Sequence, residues 1–514
     1  MGKSTTPSFV TELPLVVNSR SEKELLSRFQ AGRQLYNALL SEAMTRMNLV
    51  RNSQAYQEAK KIPKTETKKR QKAFQEARIA YRYSDYDLQA YATVVSNQSR
   101  WIGSKVDSNT QQKLATRAFK ASEKVMFGQA KRVRFKVSSR LRSLEGKTNK
   151  QGIRWSNNQF VWGKLKLKAI INPLNLVTQH GLNAPIKLVR ILWRELNGKR
   201  RWYVQLVCEG KPFIKPKNTV SDGLIGLDLN LHNLAFVGDE QAGLLPFAEG
   251  VPDLSREIRR LQRRMERSRR ANNPDNYYPS FKARKGRKQI LKKGKAKKGK
   301  RQWRISQIYG LSARQKRELE RKRTAYARTQ NRRLVNEVLR HGKHIKTEKV
   351  SLKGWQKRFG KAIGAKSPSF VQSELKRKAE NANGSFIAFS TQTTALSQTH
   401  LTGERIKKSL SERIHDDVTG VIMQRDLFSA YLSRFVEDNK LSCADAQFEY
   451  PRSESILKGA WESFDLQMAK RVGASESPQL VVTSTPAEPF PLKLGKISQI
   501  AIPKGFGRQA NSHS

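Results

Sequence analysis

Acid is what this chain lacks most. Its 514 residues carry 43 Asp and Glu against 100 Lys and Arg, a formal net charge of +57. A surplus of that size opposes compaction through self-repulsion unless a polyanion neutralises it, and an ordinary enzyme of small metabolites has no use for it. Nucleic acid is the polyanion the charge points to, because each Lys or Arg placed at a phosphate releases condensed counterions. Cysteine is almost missing. Cys208 and Cys443 are the two present, so neither a disulfide framework nor a Cys-based zinc site can be assembled. This usage suits a reducing cytosol. No apolar run reaches the roughly 20 residues of a membrane-spanning helix, and no secretory signal is recognisable, so no membrane partner is expected. The start, Met1-Gly2-Lys3-Ser4-Thr5-Thr6, fits the myristoylation pattern, which is too permissive to carry weight. The seven histidines are scattered, and His341 and His344 read as a solvated pair at a helix end. Gly360 to Ser367 misses a phosphate-cradling loop: its second Gly comes one position early and Ala365 precedes the Lys, so NTP hydrolysis is not expected.

The length allows two to four domains and a sizeable core. A strand is expected over Leu13–Val17, then a helix opened by a capping box of Ser21 and Glu24. Leu25, Phe29, Tyr36, Leu39 and Leu40 recur near helical spacing, and basic helical sequence continues to about Lys131. From Gly152 the period changes. Ile153–Trp162 holds an Asn157-Asn158 turn, and Asn197-Gly198 joins Ile186–Leu196 to Trp202–Cys208, a strong hairpin signal. This section reads as a small β-barrel, with Trp155, Trp162, Trp193 and Trp202 as core rather than stacking platforms for bases. A helix is predicted over Leu254–Arg270, with Leu254, Ile258, Leu261 and Met265 on one face. Residues 282–304 hold thirteen Lys or Arg and no acid, a composition expected to be disordered unless a polyanion lines it. A second long helix is predicted over Ser312–Arg340, a strand over Ile345–Val350, a helix over Ser369–Glu380 and a strand over Phe386–Ser390. A polar stretch to Gly420 precedes a helix opening at Asp426. After about Leu441 the pattern dissolves, and residues 474–514 read as a mobile tail.

Three acids stand apart among apolar neighbours. Asp228 and Glu348 fall in strands, and Asp426 falls at a helix start directly after Arg425. An acid in such a place is costly unless it is paired or binds metal. Taken singly, each is also explained as a strand-end residue or a helix cap paired with Arg. Three carboxylates together suffice for two Mg2+ ions, which prefer few carboxylates plus water and substrate phosphate.

Gly226-Leu-Asp-Leu-Asn-Leu-His-Asn-Leu-Ala235 resembles the first RuvC motif of transposon-encoded TnpB proteins and their type V CRISPR effector relatives. Thr347-Glu-Lys-Val-Ser-Leu-Lys-Gly354 is similar to the second motif, and Gln424-Arg-Asp-Leu-Phe-Ser-Ala430 to the third. Order and spacing agree, as does the Arg-rich insert between the first two. The resemblance covers residues 222–437; residues 1–215 match in layout only. It implies a multidomain α+β protein: wedge strands in 1–20, a helical recognition lobe in 21–140 and a β-barrel wedge domain in 141–220. An RNase H-like (RuvC-like) α/β nuclease domain follows in 221–440, with a basic helical insert at 254–344, then a C-terminal extension, partly disordered, in 441–514. It implies an RNA-guided DNA endonuclease that hydrolyses phosphodiesters with two Mg2+ ions, Asp228, Glu348 and Asp426 being its catalytic acids and metal ligands. The partners implied are a guide RNA, transposon-derived or from a CRISPR array, and double-stranded target DNA with a short flanking motif.

Contact with nucleic acid is expected at Arg259, Arg260, Arg263, Arg264 and Arg267, where like charges along one helix repel unless phosphates relieve them. It is also expected at Lys292, Lys293, Arg301 and Arg304 of the basic block and at Arg425. One departure concerns residues 391–425. Many relatives carry two Cys-x-x-Cys pairs there, whereas this chain has His400 at the first position of one and Asp416 and Thr419 near the other, so zinc is not expected. Other classes stay open at this point: a guide-dependent DNA-binding protein that does not cut, acting as a repressor or targeting factor, and a non-catalytic RNA-binding protein fitted by charge alone. A DNA transposase of the same fold sits less well with the helical lobe and barrel.

Overall fold

The computed structural model describes residues 6–286, 288–299, 302–409 and 412–475, a mixture of helices and several sheets. It divides into two units, residues 1–461 and 462–514. The first strand, β1 (Ser8–Pro14), leads into α1 (Ser19–Asn52). Asn18, not Ser21, is the N-cap: its side chain accepts the Ser21 N–H at 2.8 Å, satisfying one of the orphan donors of the first turn. Leu25, Phe29, Tyr36, Leu39, Leu40, Ala43, Met47 and Val50 form the buried stripe of α1. Five helices follow: α2 (Gln54–Lys61), α3 (Thr67–Ala80), α4 (Asp85–Gln98), α5 (Arg100–Lys105) and α6 (Ser108–Met126). Of these, α6 and α4 pack on the α1 stripe.

The β-rich section contains β2 (Ser143–Glu145), β3 (Ile153–Ser156), β4 (Gln159–Trp162) and β5 (Leu165–Lys168), then α7 (Leu176–Asn183), β6 (Ile186–Leu196) and β7 (Lys199–Glu209). Both predicted turns are present. Asn157 and Asn158 have φ of 49° and 56°, and Asn197 and Gly198 have φ of 50° and 73°, positive at both positions as a two-residue hairpin loop of type I′ requires. The expected β-barrel, however, is not a closed ring. The strands form one sheet in the order β1-β7-β6-β2 and another in the order β3-β4-β5. They join at one corner, where Leu15 bridges to Ala169 and the Ile170 N–H donates to Pro14 O at 2.8 Å. No ladder among the described residues connects β3 to β2; the three-residue β2 offers too short an edge, and β3 packs on β6 through side chains. Trp155, Trp162, Trp193 and Trp202 are all buried, as core residues.

The sheet that carries the three acids is built differently. β8 (Leu224–Leu229), β9 (Asn233–Val237) and β10 (Ala242–Pro246) form an antiparallel meander. α8 (Ser255–Ala271) follows. The basic block after it corrects the expectation of disorder, because β11 (Phe281–Lys285) pairs with β12 (Lys288–Lys292) in a hairpin. Its base is anchored where the Tyr278 N–H donates to Lys295 O at 3.0 Å and the Arg270 guanidinium lies 4.2 Å from the Tyr277 ring centroid. Backbone pairing and cation–π contact supply the order that composition argued against. The insert is therefore part helix and part hairpin.

α9 (Gln307–Leu339) packs on α8 and delivers β13 (His344–Glu348), which runs parallel to β8. Next come α10 (Leu352–Lys366), which contains most of the near-miss phosphate loop as helix, and α11 (Pro368–Asn381). β14 (Ser385–Phe389) then adds parallel to β13. The sheet order is β10-β9-β8-β13-β14. Ile225, Leu227 and Leu229 point to one face and pack with Val335, Val338 and Leu339 of α9 and Val371 and Leu375 of α11. Past α12 (Thr391–Thr394), β15 (Ile414–Asp416) and β16 (Ile422–Gln424), the opposite face receives α13 (Arg425–Ser433), in which every residue from Asp426 to Ser433 is buried. Short strands β17 (Val436–Glu437) and β18 (Lys440–Leu441) lead to α14 (Cys443–Ser475). That helix corrects the reading of a pattern lost after Leu441: Ala446, Tyr450, Ser453 and Leu457 are buried at helical spacing on either side of Pro451. Of the expected tail, residues 476–514 lie outside the described residues.

The approach of α13 to β8 depends on Gly226. A Cβ there would overlap the Ala430 carbonyl oxygen, the Ser433 hydroxyl and the Arg434 side chain, and backbone cannot yield as a flexible side chain can. Gly226→Ala is expected to lower the free energy of unfolding by about 1–3 kcal/mol. Gly364→Ala, on α10 with nothing near the added carbon, should raise it by about 0.5–1 kcal/mol. Urea denaturation of both variants checks the contrast.

Candidate active site

Side chains alternate along a strand, so Gly226 and Asp228 share the face that α13 covers. Thr347 of β13 stands opposite Leu227 of β8, and one step further Glu348 and Asp228 leave the sheet side by side on adjacent parallel strands. α13 brings Asp426 over the same edge from its first turn, where a carboxylate suits the positive end of the helix. The Gln424 side chain caps that turn by accepting the Leu427 N–H at 2.8 Å. Three acids far apart in the chain therefore meet at one place.

Their electrostatics report the meeting. Asp228 is only partly accessible. The protein mass around it, then the neighbouring charges of Asp426 and Glu348, hold its carboxyl well above the ordinary aspartate range, while Arg425 pulls the other way. Burial also raises Glu348, opposed by a hydrogen bond from the Leu396 N–H and then one from the Thr394 hydroxyl. Anions crowded in this way repel unless a cation lies among them. The carboxylates are nonetheless individually held. Asn230 Nδ2 donates to Asp426 Oδ2 at 2.8 Å. Glu348 Oε1 accepts from Leu396 N–H at 3.0 Å and from Thr394 Oγ1 at 3.2 Å. Between those donors Ala395 adopts φ 44° and ψ 44°, a left-handed conformation costing a non-glycine residue about 1–2 kcal/mol. This strained turn aims two successive donor groups at one oxygen.

Sequence reasoning missed Asn230, Thr394 and the Leu396 N–H. Asn230 was within reach, since it lies two residues after Asp228. The Thr394–Leu396 turn left no sequence signal, because it rests on a left-handed alanine.

The expected nucleic-acid contacts are exposed and basic. Arg259, Arg260, Arg263, Arg264 and Arg267 all face solvent along α8, as do Lys292, Lys293 and Arg304. Arg301 lies outside the described residues. Arg425 is half-buried and donates to Ser409 O at 2.9 Å beside the acids. A larger feature went unpredicted. A cleft of about 1200 Å³ between α6, the segment after it and the β6–β7 sheet is lined by eleven Lys or Arg against two Glu. Within it burial, and then the charges of Arg117 and Arg140, hold the Lys136 ammonium below its usual range.

No family model and no curated protein matches the chain. Among solved structures it is similar to the cryo-EM structure of a Cas12f1–sgRNA–target DNA complex, at 10% identity and a TM-score of 0.40, covering 85% of this chain and 100% of that one. It is also similar to the cryo-EM structure of a CRISPR–Cas12f ternary complex, at 10% identity and a TM-score of 0.26, covering 83% of this chain and 84% of that one. Likeness at these values assigns no residue a role, and the site stands on its own geometry. Among the described residues no helix is long and apolar enough to cross a membrane.

Because the Asp228 carboxyl is raised in the fold, the folded state keeps its proton to higher pH than the unfolded chain. The metal-free protein therefore loses stability as pH rises through that interval. Asp228→Asn removes one of the repelling charges. It is expected to stabilise the metal-free protein at neutral pH by about 1 kcal/mol and to flatten this pH dependence. Denaturant titrations in chelator, from acid to neutral pH, measure both; a variant less stable than wild type throughout would contradict the reading.

Proposed function

We propose that this chain is a metal-dependent, RNA-guided DNA endonuclease whose cutting site lies on an RNase H-like, RuvC-like sheet. One observation carries the cutting: Asp228, Glu348 and Asp426 converge at a sheet edge, where burial and then the charges of Asp426 and Glu348 raise the Asp228 carboxyl. Such a cluster fits divalent cations, with Mg2+ favoured by an all-oxygen donor set. The three acids would hold them, and the ions when bound supply charge stabilisation at the attacking and leaving oxygens of a phosphodiester. The chain's own groups do the positioning. Asn230 fixes the orientation of Asp426, Thr394 and the Leu396 N–H fix Glu348, and the Arg425 cation lies close enough to Asp228 to favour its ionised form. Acids set on packed strands and a buried helix keep their geometry better than acids on free loops.

The guide follows from the resemblance of the three motifs, supported by the basic surfaces. An RNA–DNA duplex is held through its backbone shape, which calls for extended cationic grooves rather than base-reading pockets. The cleft around Lys136 and the exposed arginines of α8 have that character. Target duplex DNA with a short flanking motif is the corresponding substrate.

Purified protein with its copurifying RNA, given matched DNA and Mg2+, is expected to cut. Asp228→Ala or Asp426→Ala should slow cutting by about 10³-fold or more, given the several kcal/mol such ions supply, while guide-dependent binding persists. Equal cutting by the variants would refute the site; binding without cutting by wild type would leave a targeting protein. Changing Arg259, Arg260, Arg263, Arg264 and Arg267 together to Gln should make the salt dependence of nucleic-acid affinity shallower. The expected change in log–log slope is about 0.7–0.9 for each arginine that meets a phosphate. An unchanged slope would remove α8 from the interface.

A further inference from the structure

Between α12 and α13 the chain folds over a buried group that phosphodiester cutting does not use. His400, His415 and Asp417 each bring one donor atom, a ring nitrogen or a carboxylate oxygen, and these atoms all lie within 4.8 Å of one another. Among the described residues no other trio of His, Cys, Asp or Glu does so.

Two of the three are already oriented. Asp417 Oδ1 accepts the Thr419 N–H at 2.9 Å and the Val421 N–H at 3.3 Å, together with the Thr419 hydroxyl. Its Oδ2 accepts the Leu401 N–H at 3.1 Å and meets His415 Nε2 at 3.2 Å. His415 lies flat on Phe428 of α13, ring centroids 4.0 Å apart. The third residue is the anomaly. His400 is 2% exposed, yet neither ring nitrogen has a hydrogen-bond partner. Its ring stands edge-on to His415 at 5.1 Å. Its backbone is tied into a turn, His400 N–H to Glu404 O at 2.8 Å and Gly403 N–H to His400 O at 2.9 Å, so the imidazole cannot simply withdraw to water. A buried polar group without a partner is rare because it forfeits its hydration for nothing.

We propose that His400, His415 and Asp417 form a second metal site, distinct from the three acids, and that its donor set takes Zn2+. Two imidazoles and one carboxylate suit zinc and its neighbours in the transition series, whereas Mg2+ and Ca2+ select oxygen. Three protein ligands leave the fourth position to water. Coordination through His415 Nε2 moves that nitrogen's proton to Nδ1. Lys408 Nζ, 2.8 Å from Nδ1 and a donor only, must then swing off that nitrogen, and it retains its other acceptor, Asp416 O at 3.3 Å. Zinc is unexpected from the sequence for want of cysteines; this site needs none. Its ion would clamp His400 to His415 and Asp417 beneath Phe428, two residues from Asp426, so its work is to hold the start of α13 in place. The inference does not depend on whether the acids cut nucleic acid.

The test uses untagged full-length protein, stripped with chelator, dialysed against Zn2+ and freed of excess by gel filtration. Elemental analysis should find about one zinc per chain. Zinc should raise Tm, and Co2+ in its place should give the intense visible absorption of a tetrahedral site. His400→Leu should lose the metal and the Tm shift while keeping or raising the metal-free Tm, because it removes an unpartnered polar ring. Asp228→Asn should keep the zinc. Wild type retaining no zinc, or no more than His400→Leu, would reduce the trio to a hydrogen-bonded cluster. Zinc lost in Asp228→Asn instead would assign the ion to the sheet edge and overturn the proposal. Should His400→Leu fail to fold, His400→Gln takes its place, and the wild-type stoichiometry decides on its own.

Discussion

Everything around the sheet that carries the three acids depends on how closely α13 can lie against β8. The glycine at 226 sets that distance, and residues on both sides keep it. Lys346 Nζ reaches from β13 to the Arg434 carbonyl at 3.0 Å, placing a cation at the negative end of the helix. Arg434 in turn pairs with Asp239 just beyond β9. The helix is thus pinned at its C-terminal end from both sides of β8, and its N-terminal end is left to present Asp426. A helix polar on one side would not tolerate this placement. α13 is buried from Asp426 to Ser433, and its serine hydroxyls bond back to backbone, as Ser433 Oγ does to Ala430 O at 2.8 Å.

Charge is organised on two scales. At the sheet edge, carboxylates are forced together in a chain that has few to spare. Elsewhere cations are forced together in a cleft and along a helix. Each arrangement is unfavourable alone and favourable with the opposite partner, small cations in one case and a phosphate backbone in the other. The basic hairpin of β11 and β12 shows that such crowding does not by itself preclude order. The rings of Tyr277 and Trp303 lie beside the guanidiniums of Arg269 and Arg270 and hold the base of the insert.

Much of this was legible in the chain. Asn197-Gly198 and Asn157-Asn158 fixed two hairpins because positive φ at both central residues admits few residue types. The acids were legible because each interrupts an apolar run. What escaped was whatever depends on partners distant in sequence. α14 hides its period behind Pro451, and the barrel failed to close because strand length at β2, not hydrophobic alternation, limits the ladder. The donors to Glu348 come from a turn around Ala395 whose conformation no propensity favours. His415, two residues from Asp417 and fifteen from His400, looked like one more scattered histidine.

The parallel pairing of β8 with β13 has a consequence for assembly. About 120 residues, most of them the insert, separate Asp228 from Glu348, and Asp426 arrives later still. Pairings of such high contact order form slowly, after local helices and hairpins. A chain emerging from the ribosome can therefore build the helical and β-rich N-terminal portion, with its cationic cleft, well before the third acid is synthesised. Under the function proposed, association with a polyanion can precede competence to react with it, and a prematurely terminated product would retain the first property without the second.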